Sequence, residues 1–187
     1  MTSQTTFFTE YWEDIRRLLL KEDVAKLHRL ASLIVNCHQH GGKTIIVGNG
    51  GSAAIASHVS VDLTKAAGIR SACFNESSLL TCFANDFGYE KWVEKALEYY
   101  VDEADLVILI SSSGRSANML NAAKLCVSQN VSFVTFSGFD SENPLRSFGN
   151  LSFWVDSKSY NHVETIHQTW LLATIDFIVS KKKEAGQ

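Results

Sequence analysis

The sequence predicts an α/β fold built on a parallel sheet of about five strands. Short apolar runs bounded by glycine and polar residues alternate with segments of helical periodicity over most of the chain. The strongest strand signal, residues 105–110, ends in five consecutive apolar residues. A parallel strand covered by helices on both faces requires such a run.

The predicted elements follow in order. Residues 9–40 form a helical arm of one or two segments, because large apolar residues recur there at helical spacing. Gly41 and Gly42 end the arm. The predicted strands are residues 44–47, 71–74, 105–110, 131–136 and 151–155; residues 85–88 form a turn, and helices cover residues 52–67, 89–101, 117–129 and 162–181.

Composition limits the classes of function. With 187 residues, 45% of them hydrophobic and a single proline, the chain is an ordinary folded domain, which excludes disordered and collagen-like classes. A net charge of −3 argues against general binding to nucleic acid or to anionic membranes. No repeat or linker is visible, so residues 1–187 form one domain, with residues 1–40 as its N-terminal helical arm.

The N-terminal sequence and the cysteine spacing both bear on where the protein is located. The N-terminus has no basic segment followed by an apolar one, and no stretch approaches the roughly 20 apolar residues of a membrane span. We therefore expect a cytoplasmic protein with no membrane partner. The four cysteines have no Cys-x-x-Cys pair, which favours buried thiols over a disulfide or metal framework. The apolar arm could pack on its own sheet or form an oligomer interface.

Two loops carry the functional signal. In an open parallel sheet, ligands bind beyond the carboxyl ends of the strands, where helix N-termini present free N–H groups. A glycine loop, residues 48–52, follows the first predicted strand, and a serine loop, residues 111–116, follows the third predicted strand. Together they suit a phosphate monoester, although each alone could be a plain turn or a helix cap. The candidate residues are Asn49, Gly50, Gly51, Ser52, Ser111, Ser112, Ser113 and Ser116.

No nucleotide cofactor is expected at these loops. Ala53 stands where the dinucleotide fingerprint G-x-G-x-x-G has its third glycine, and the acidic residue expected after the next strand is not evident. The Gly-Lys-Ser/Thr of a nucleotide P-loop is also missing from the glycine loop.

At three segments the chain resembles the sugar isomerase (SIS) domain family, and within it the phosphoheptose isomerase branch. The segments are GNGGSAA at 48–54, ANDFG at 84–88 and ISSSGRSAN at 110–118. The resemblance implies a flavodoxin-like three-layer sandwich with a five-stranded parallel sheet, and a homotetramer whose phosphosugar sites are lined by neighbouring subunits. The implied reaction interconverts sedoheptulose 7-phosphate and D-glycero-D-manno-heptose 7-phosphate, a precursor of lipopolysaccharide or capsule heptose.

The resemblance also assigns roles to residues. It implies that Ser52 and the serine loop bind the phosphate group of the substrate, and that Asn49 and Asp86 contact the rest of the substrate. The family's zinc and catalytic cluster corresponds to His58, Asp62 and Glu164, with Leu172 at the position of a histidine thought to act as acid or base. His167 is a possible substitute for that histidine, because it lies three residues after Glu164.

A zinc ion could therefore be held by His58, Asp62, Glu164 and His167. Asp62 is alternatively a solvated surface charge, and the family commonly has a histidine at the His167 position that is not a main ligand. For catalysis through an enediol, the candidates are Asp62, Glu164 and His167. Two alternatives stay open, the first because of Leu172 and the second because Asp62 and Glu164 stand where the family has glutamate and glutamine. One is a non-catalytic module that binds a sugar phosphate or a protein, such as a replication initiator. The other is an isomerase of a different sugar phosphate.

Overall fold

The structure is a computed structural model that describes residues 3–186, with side chains from residue 6 onward. Residues 1, 2 and 187 of the expected single domain lie outside the described residues. In chain order the elements are α1 (Ser3–Leu19), α2 (Val24–Gln39), β1 (Thr44–Gly48), α3 (Gly51–Lys65), β2 (Ser71–Cys73), α4 (Ser77–Phe87), α5 (Trp92–Tyr100), β3 (Leu106–Ser111), α6 (Ala117–Ser128), β4 (Ser132–Gly138), a 3-10 turn (Pro144–Ser147), β5 (Leu151–Val155) and α7 (Tyr160–Glu184).

The five strands form one sheet in the order β2-β1-β3-β4-β5, and every neighbouring pair is parallel. This confirms the predicted α/β class and the flavodoxin-like order. The sheet is the middle of three layers. Alternate side chains of its strands enter two cores, one against α2, α3 and α7 and the other against α5 and α6. Ile46 and Ile108 face the first core, whereas Ile45 and Val107 face the second.

The N-terminal 40 residues divide into two helices with different environments. Asp23 begins α2 as its N-cap, accepting a hydrogen bond from the Ala25 N–H at 2.9 Å. Leu30 and Ile34 of α2 are buried in the first core, so α2 belongs to the body of the sandwich. Of the expected arm, only α1 lies largely outside the core, with Leu18 as its buried residue in the described part.

The turn predicted at residues 85–88 is instead the end of α4. Glu76 begins this helix by accepting hydrogen bonds from the N–H groups of Ser78 and Leu79, both at 3.0 Å. The apolar residues of α4 pack against the second core, and Gly88 ends the helix with φ of 89°. The prediction was wrong because polar residues such as Asn85 and Asp86 also occur in the last turn of a packed helix.

None of the helices formed by residues 3–186 combines the length and the hydropathy that a membrane crossing needs.

Candidate phosphosugar site

The glycine and serine loops meet at the carboxyl edge of the sheet, because β1 and β3 that precede them are paired neighbours. They enclose a pocket of about 230 Å³. It is lined by Asn49, Gly50, Gly51, Ser52, Ile110, Ser111, Ser112, Ser113, Ser116, Tyr160 and Glu164. The structure therefore brings together all eight loop residues that the sequence singled out.

The glycine loop needs its glycines for close approach. Gly50 has φ of 56°, a left-handed value that favours glycine. A Cβ on Gly48 would overlap the backbone of Ser52, and one on Gly51 would overlap the carboxylate of Glu164. The Asn75 side chain holds this loop, donating to the Gly48 carbonyl at 2.7 Å and accepting from the Gly48 N–H at 3.1 Å. The Ser52 and Ala53 N–H groups donate to the carbonyls of Asn49 and Gly50, both at 3.0 Å. The loop thus brings the N-terminus of α3, the positive end of the helix dipole, to the pocket.

The serine loop supplies hydroxyls. Ser111 donates to the Ser116 hydroxyl at 3.2 Å, and Ser113 accepts from the Arg115 N–H at 3.3 Å. The Ser112 hydroxyl is buried and has no hydrogen-bond partner in the described part of the chain. Such an unpaired group is costly to bury, and a polar ligand in the pocket would relieve that cost.

The side chain of Asn49 is held in place by hydrogen bonds. Its amide makes a reciprocal pair with the buried Asn118 amide, at 3.0 and 2.9 Å, and its Oδ1 also accepts from the Tyr89 hydroxyl at 3.1 Å. These bonds occupy most of the Asn49 side chain and leave one amide hydrogen for a substrate. Sequence analysis missed Asn118 and Tyr89, because the contacts join residues 69 and 40 positions apart.

Glu164 gives the pocket its charge. No lysine, arginine or histidine is among the residues that line it in the described chain. Burial raises the pKa of the Glu164 carboxyl above its usual range, and this carboxyl makes no hydrogen bond to any residue of 6–186. A carboxylate with these properties is a suitable base, but when ionised it also repels a phosphate.

Asp62 and His58 lie elsewhere on α3. His58 Nε2 is 3.3 Å from an Asp62 carboxylate oxygen, and His58 Nδ1 is 3.1 Å from the Gln168 amide nitrogen. Asp62 is eleven residues after Gly51, which on an α-helix is about 16 Å along the axis. Gln168 is a partner of His58 that sequence analysis missed, although it lies four residues after Glu164 on α7. One chain therefore does not bring Asp62 and Glu164 to the same pocket.

His167 is a core residue. Its ring is fully buried, Nε2 donates to the Ser137 carbonyl at 3.0 Å, and Phe136 lies against it at a centroid distance of 5.5 Å. Burial lowers the pKa of His167 to about 4. This position does not fit the role of acid, base or metal ligand that the sequence suggested, because the ring does not line the pocket.

The residues expected to hold zinc do not fit together within one chain. No group of three or more His, Cys, Asp or Glu side chains in the described part of the chain is arranged to hold a metal ion. His58 and Asp62 are paired on α3, Glu164 is at the pocket, and His167 is in the core.

Leu172 and Asp86, two positions to which the resemblance gives a role, also lie outside the pocket of their own chain. Leu172 is half-buried and packs against the first core. Asp86 is exposed at the end of α4, where it accepts from the Asn85 amide at 2.9 Å. Asp86 does not line the pocket of its own chain. Tyr160, which does, forms an edge contact with Phe139 at 4.8 Å and was not identified from the sequence.

Comparison with known proteins identifies the family of this chain. The sequence profile of a family described as SIS domain matches residues 7–138. A phosphoheptose isomerase of Fusobacterium nucleatum is 29% identical over 178 residues, covering 92% of this chain and 91% of the relative. Phosphoheptose isomerase 1 of Campylobacter jejuni is 34% identical, covering 68% of this chain and 73% of the relative.

A solved structure is similar over nearly the whole length. It is phosphoheptose isomerase GmhA from Neisseria gonorrhoeae, with a TM-score of 0.85 and 25% identity, covering 95% of this chain and 99% of that chain.

Proposed function

Because the chain belongs to the SIS domain family, we propose that it is a sugar-phosphate isomerase acting on sedoheptulose 7-phosphate. The product is D-glycero-D-manno-heptose 7-phosphate, which would supply surface-polysaccharide heptose. The observation that carries this proposal is the pocket itself, where serine hydroxyls and a helix N-terminus lie beside the half-buried carboxylate of Glu164. The names of the similar proteins support the choice of substrate.

In the proposed binding mode, the phosphate group occupies the serine loop and the N-terminus of α3. The Ser112 hydroxyl, unpartnered within residues 3–186, donates to a phosphate oxygen, and the partial positive charge at the N-terminus of α3 attracts the phosphate. Binding energy from the phosphate then positions the carbonyl end of the sugar.

Glu164 is the proposed base. It removes the proton from C1 of the ketose, next to the C2 carbonyl, and the electron pair forms the C1–C2 double bond of a cis-enediol. The same proton returns at C2, while a second group moves a proton from O1 to O2. No atom or electron is gained or lost. The raised pKa suits Glu164 for this role, because a base is most effective when its pKa approaches the working pH.

Asp62 acts, in this proposal, at the pocket of a second copy. The distance of about 16 Å along α3 prevents it from reaching the sugar held by its own chain. A homotetramer with sites lined by neighbouring chains would place the Asp62 and His58 pair beside the carbonyl end of the sugar, where it would move the proton between the oxygens. A cytoplasmic location and a bound zinc ion stay predictions, and no step is assigned to zinc.

Leu172 favours a second candidate function, which is a module that binds a sugar phosphate or a protein without catalysis. Its side chain packs against the core and offers no group that can transfer a proton. The two candidates differ in one observable, because only the isomerase converts the sugar phosphate that it binds.

The test measures turnover of sedoheptulose 7-phosphate, with and without added zinc, for the natural protein and for Asp62→Asn and Glu164→Gln. We expect turnover in the natural protein and a loss of kcat of at least roughly a hundredfold in each variant, the usual scale for a general base. We also expect Glu164→Gln to bind the sugar phosphate about tenfold more tightly at neutral pH, because the variant lacks the charge that repels phosphate.

Binding of the sugar phosphate by calorimetry provides the control. Ser111→Ala combined with Ser113→Ala should weaken binding, whereas Ser128→Ala, on the opposite end of α6, should leave it unchanged. Binding without turnover in the natural protein would support the non-catalytic module or a different sugar. Unchanged affinity in the double serine variant would contradict the phosphate assignment.

A further inference from the structure

A second polar pocket, of about 530 Å³, lies at the open edge of the sheet. It is bounded by the end of α1, the start of α2, the 3-10 turn and strand β5. Its lining residues are Leu18, Lys21, Glu22, Lys26, Arg146, Ser152, Trp154 and Asp156. None of them lines the pocket between the glycine and serine loops.

Strand β5 presents two unsatisfied donors at this pocket. Ser152 and Trp154 are two residues apart, so both side chains leave the same face of the strand. The Ser152 hydroxyl and the Trp154 indole N–H are buried and have no hydrogen-bond partner in the described chain. Buried polar groups are nearly always hydrogen-bonded, and an indole nitrogen can only donate. The missing partner at Trp154 is therefore an acceptor.

The charges around these donors leave one cation free. Lys21 pairs with Asp156 at 2.8 Å, and Lys26 pairs with Glu22 at 2.9 Å. Arg146 forms an ion pair with no carboxylate among residues 6–186.

The guanidinium of Arg146 is instead held by two other contacts. It lies over the Trp154 ring, 4.5 Å from the centroid, and Nη1 donates to the Ser141 carbonyl at 2.7 Å. These contacts fix the plane of the guanidinium and leave most of its N–H groups available. A positioned guanidinium of this kind binds carboxylate or phosphate through two parallel hydrogen bonds.

We propose that this pocket, centred on Arg146, Ser152 and Trp154, is a binding site for a compact oxyanion, either a carboxylate or a phosphate. The pocket holds three basic and two acidic side chains, so its net charge favours an anion. An oxyanion accepts hydrogen bonds from the indole and the hydroxyl and pairs with the free guanidinium. This site is independent of the proposed isomerase site, because the two pockets share no residue.

The test follows the indole N–H of Trp154 by NMR in the full-length protein labelled with ¹⁵N-tryptophan. Trp154→Phe identifies its signal among the four tryptophans of the chain. One titration uses inorganic phosphate and another uses malonate, each at constant ionic strength. We expect a saturable shift of the Trp154 signal with at least one anion, and the comparison shows which oxyanion the site prefers.

Three variants make the result specific. Arg146→Gln should weaken the anion response at least roughly tenfold, the loss expected for a hydrogen-bonded charge pair. Ser152→Ala should weaken it less, and Arg29→Gln, on the exposed side of α2, should not change it. The Ser111→Ala and Ser113→Ala double variant should keep the Trp154 response, which separates this site from the phosphosugar pocket.

Two outcomes would overturn the proposal. One is a Trp154 signal that does not shift saturably with either anion at tens of millimolar, the weak end of the usual affinity range. The other is a response that Arg146→Gln and Ser152→Ala leave unchanged, which would show that the shift arises elsewhere.

Discussion

At position 167, burial decides what an imidazole can do. The ring donates from Nε2 to the Ser137 carbonyl, and its Nδ1 has no partner within the described residues. Protonation at Nδ1 would place an unpaired N–H and a charge in the core, which is why the pKa falls to about 4. A histidine that the sequence offers as a catalytic group is thus a neutral part of the packing.

This environment predicts a pH dependence of stability. The unfolded chain protonates His167 below pH 6.5, whereas the folded chain does so only near pH 4. Between these values the unfolded state binds more protons, so the free energy of unfolding decreases as the pH falls. The full effect of this shift is about 3 kcal/mol. Urea unfolding from pH 7 to pH 4 measures it.

The control compares two substitutions. His167→Gln removes the titrating group and should flatten the pH dependence in this window, whatever its effect on stability at pH 7. His40→Gln, at an exposed histidine, should keep the natural slope. Equal slopes in all three proteins would show that His167 is not the source.

At the scale of the elements, α1 is packed against the rest of the molecule mainly near its C-terminal end. Its C-terminal end is anchored, because Leu18 is buried and the Trp170 indole donates to the Leu19 carbonyl at 3.2 Å. Further toward the N-terminus, Phe7, Phe8 and Trp12 are 60%, 57% and 65% exposed. Aromatic side chains clustered on one exposed helix are typical of a surface that another protein covers.

We expect this protein to form a homo-oligomer and this aromatic face to be part of its interface. Phe8→Ser combined with Trp12→Ser should lower the mass measured by light scattering to that of a smaller assembly, because apolar area is lost at the interface. The anchored end of α1 is untouched, so circular dichroism should show the natural fold. Glu10→Gln, an exposed polar position on the same helix, should keep the natural mass. An unchanged mass in the double variant would place the interface elsewhere.

At the scale of the whole molecule, the separation of Asp62 from the pocket makes assembly part of the proposed function. A site composed of two chains predicts complementation between inactive variants. When Asp62→Asn and Glu164→Gln are co-expressed, roughly a quarter of the sites in mixed oligomers hold both natural residues. Turnover should return to about that fraction.

Each variant expressed alone supplies the baseline for this experiment. A second mixture, in which one chain carries both substitutions and the other is the Asp62→Asn variant, can contain no intact site and should stay inactive. Complementation no greater than this mixture would mean that Asp62 does not act across chains.

The sequence by itself determined the α/β class, the five parallel strands and the two loops of the pocket. These features depend on local signals. A buried strand shows as an apolar run such as 106–110, and a loop that approaches a ligand shows as glycines and serines directly after it. Since parallel neighbours end at one edge, strand pairing brings the loops together.

Only the tertiary structure decided which polar residues share an environment. Glu164 and His167 are three residues apart on one helix, yet one faces the pocket and the other the core. Asn49 is locked by Asn118. Arg146 stacks on Trp154, and both line one pocket with Ser152. Burial, charge and hydrogen-bond partners depend on contacts between distant parts of the chain, and local sequence does not contain those contacts.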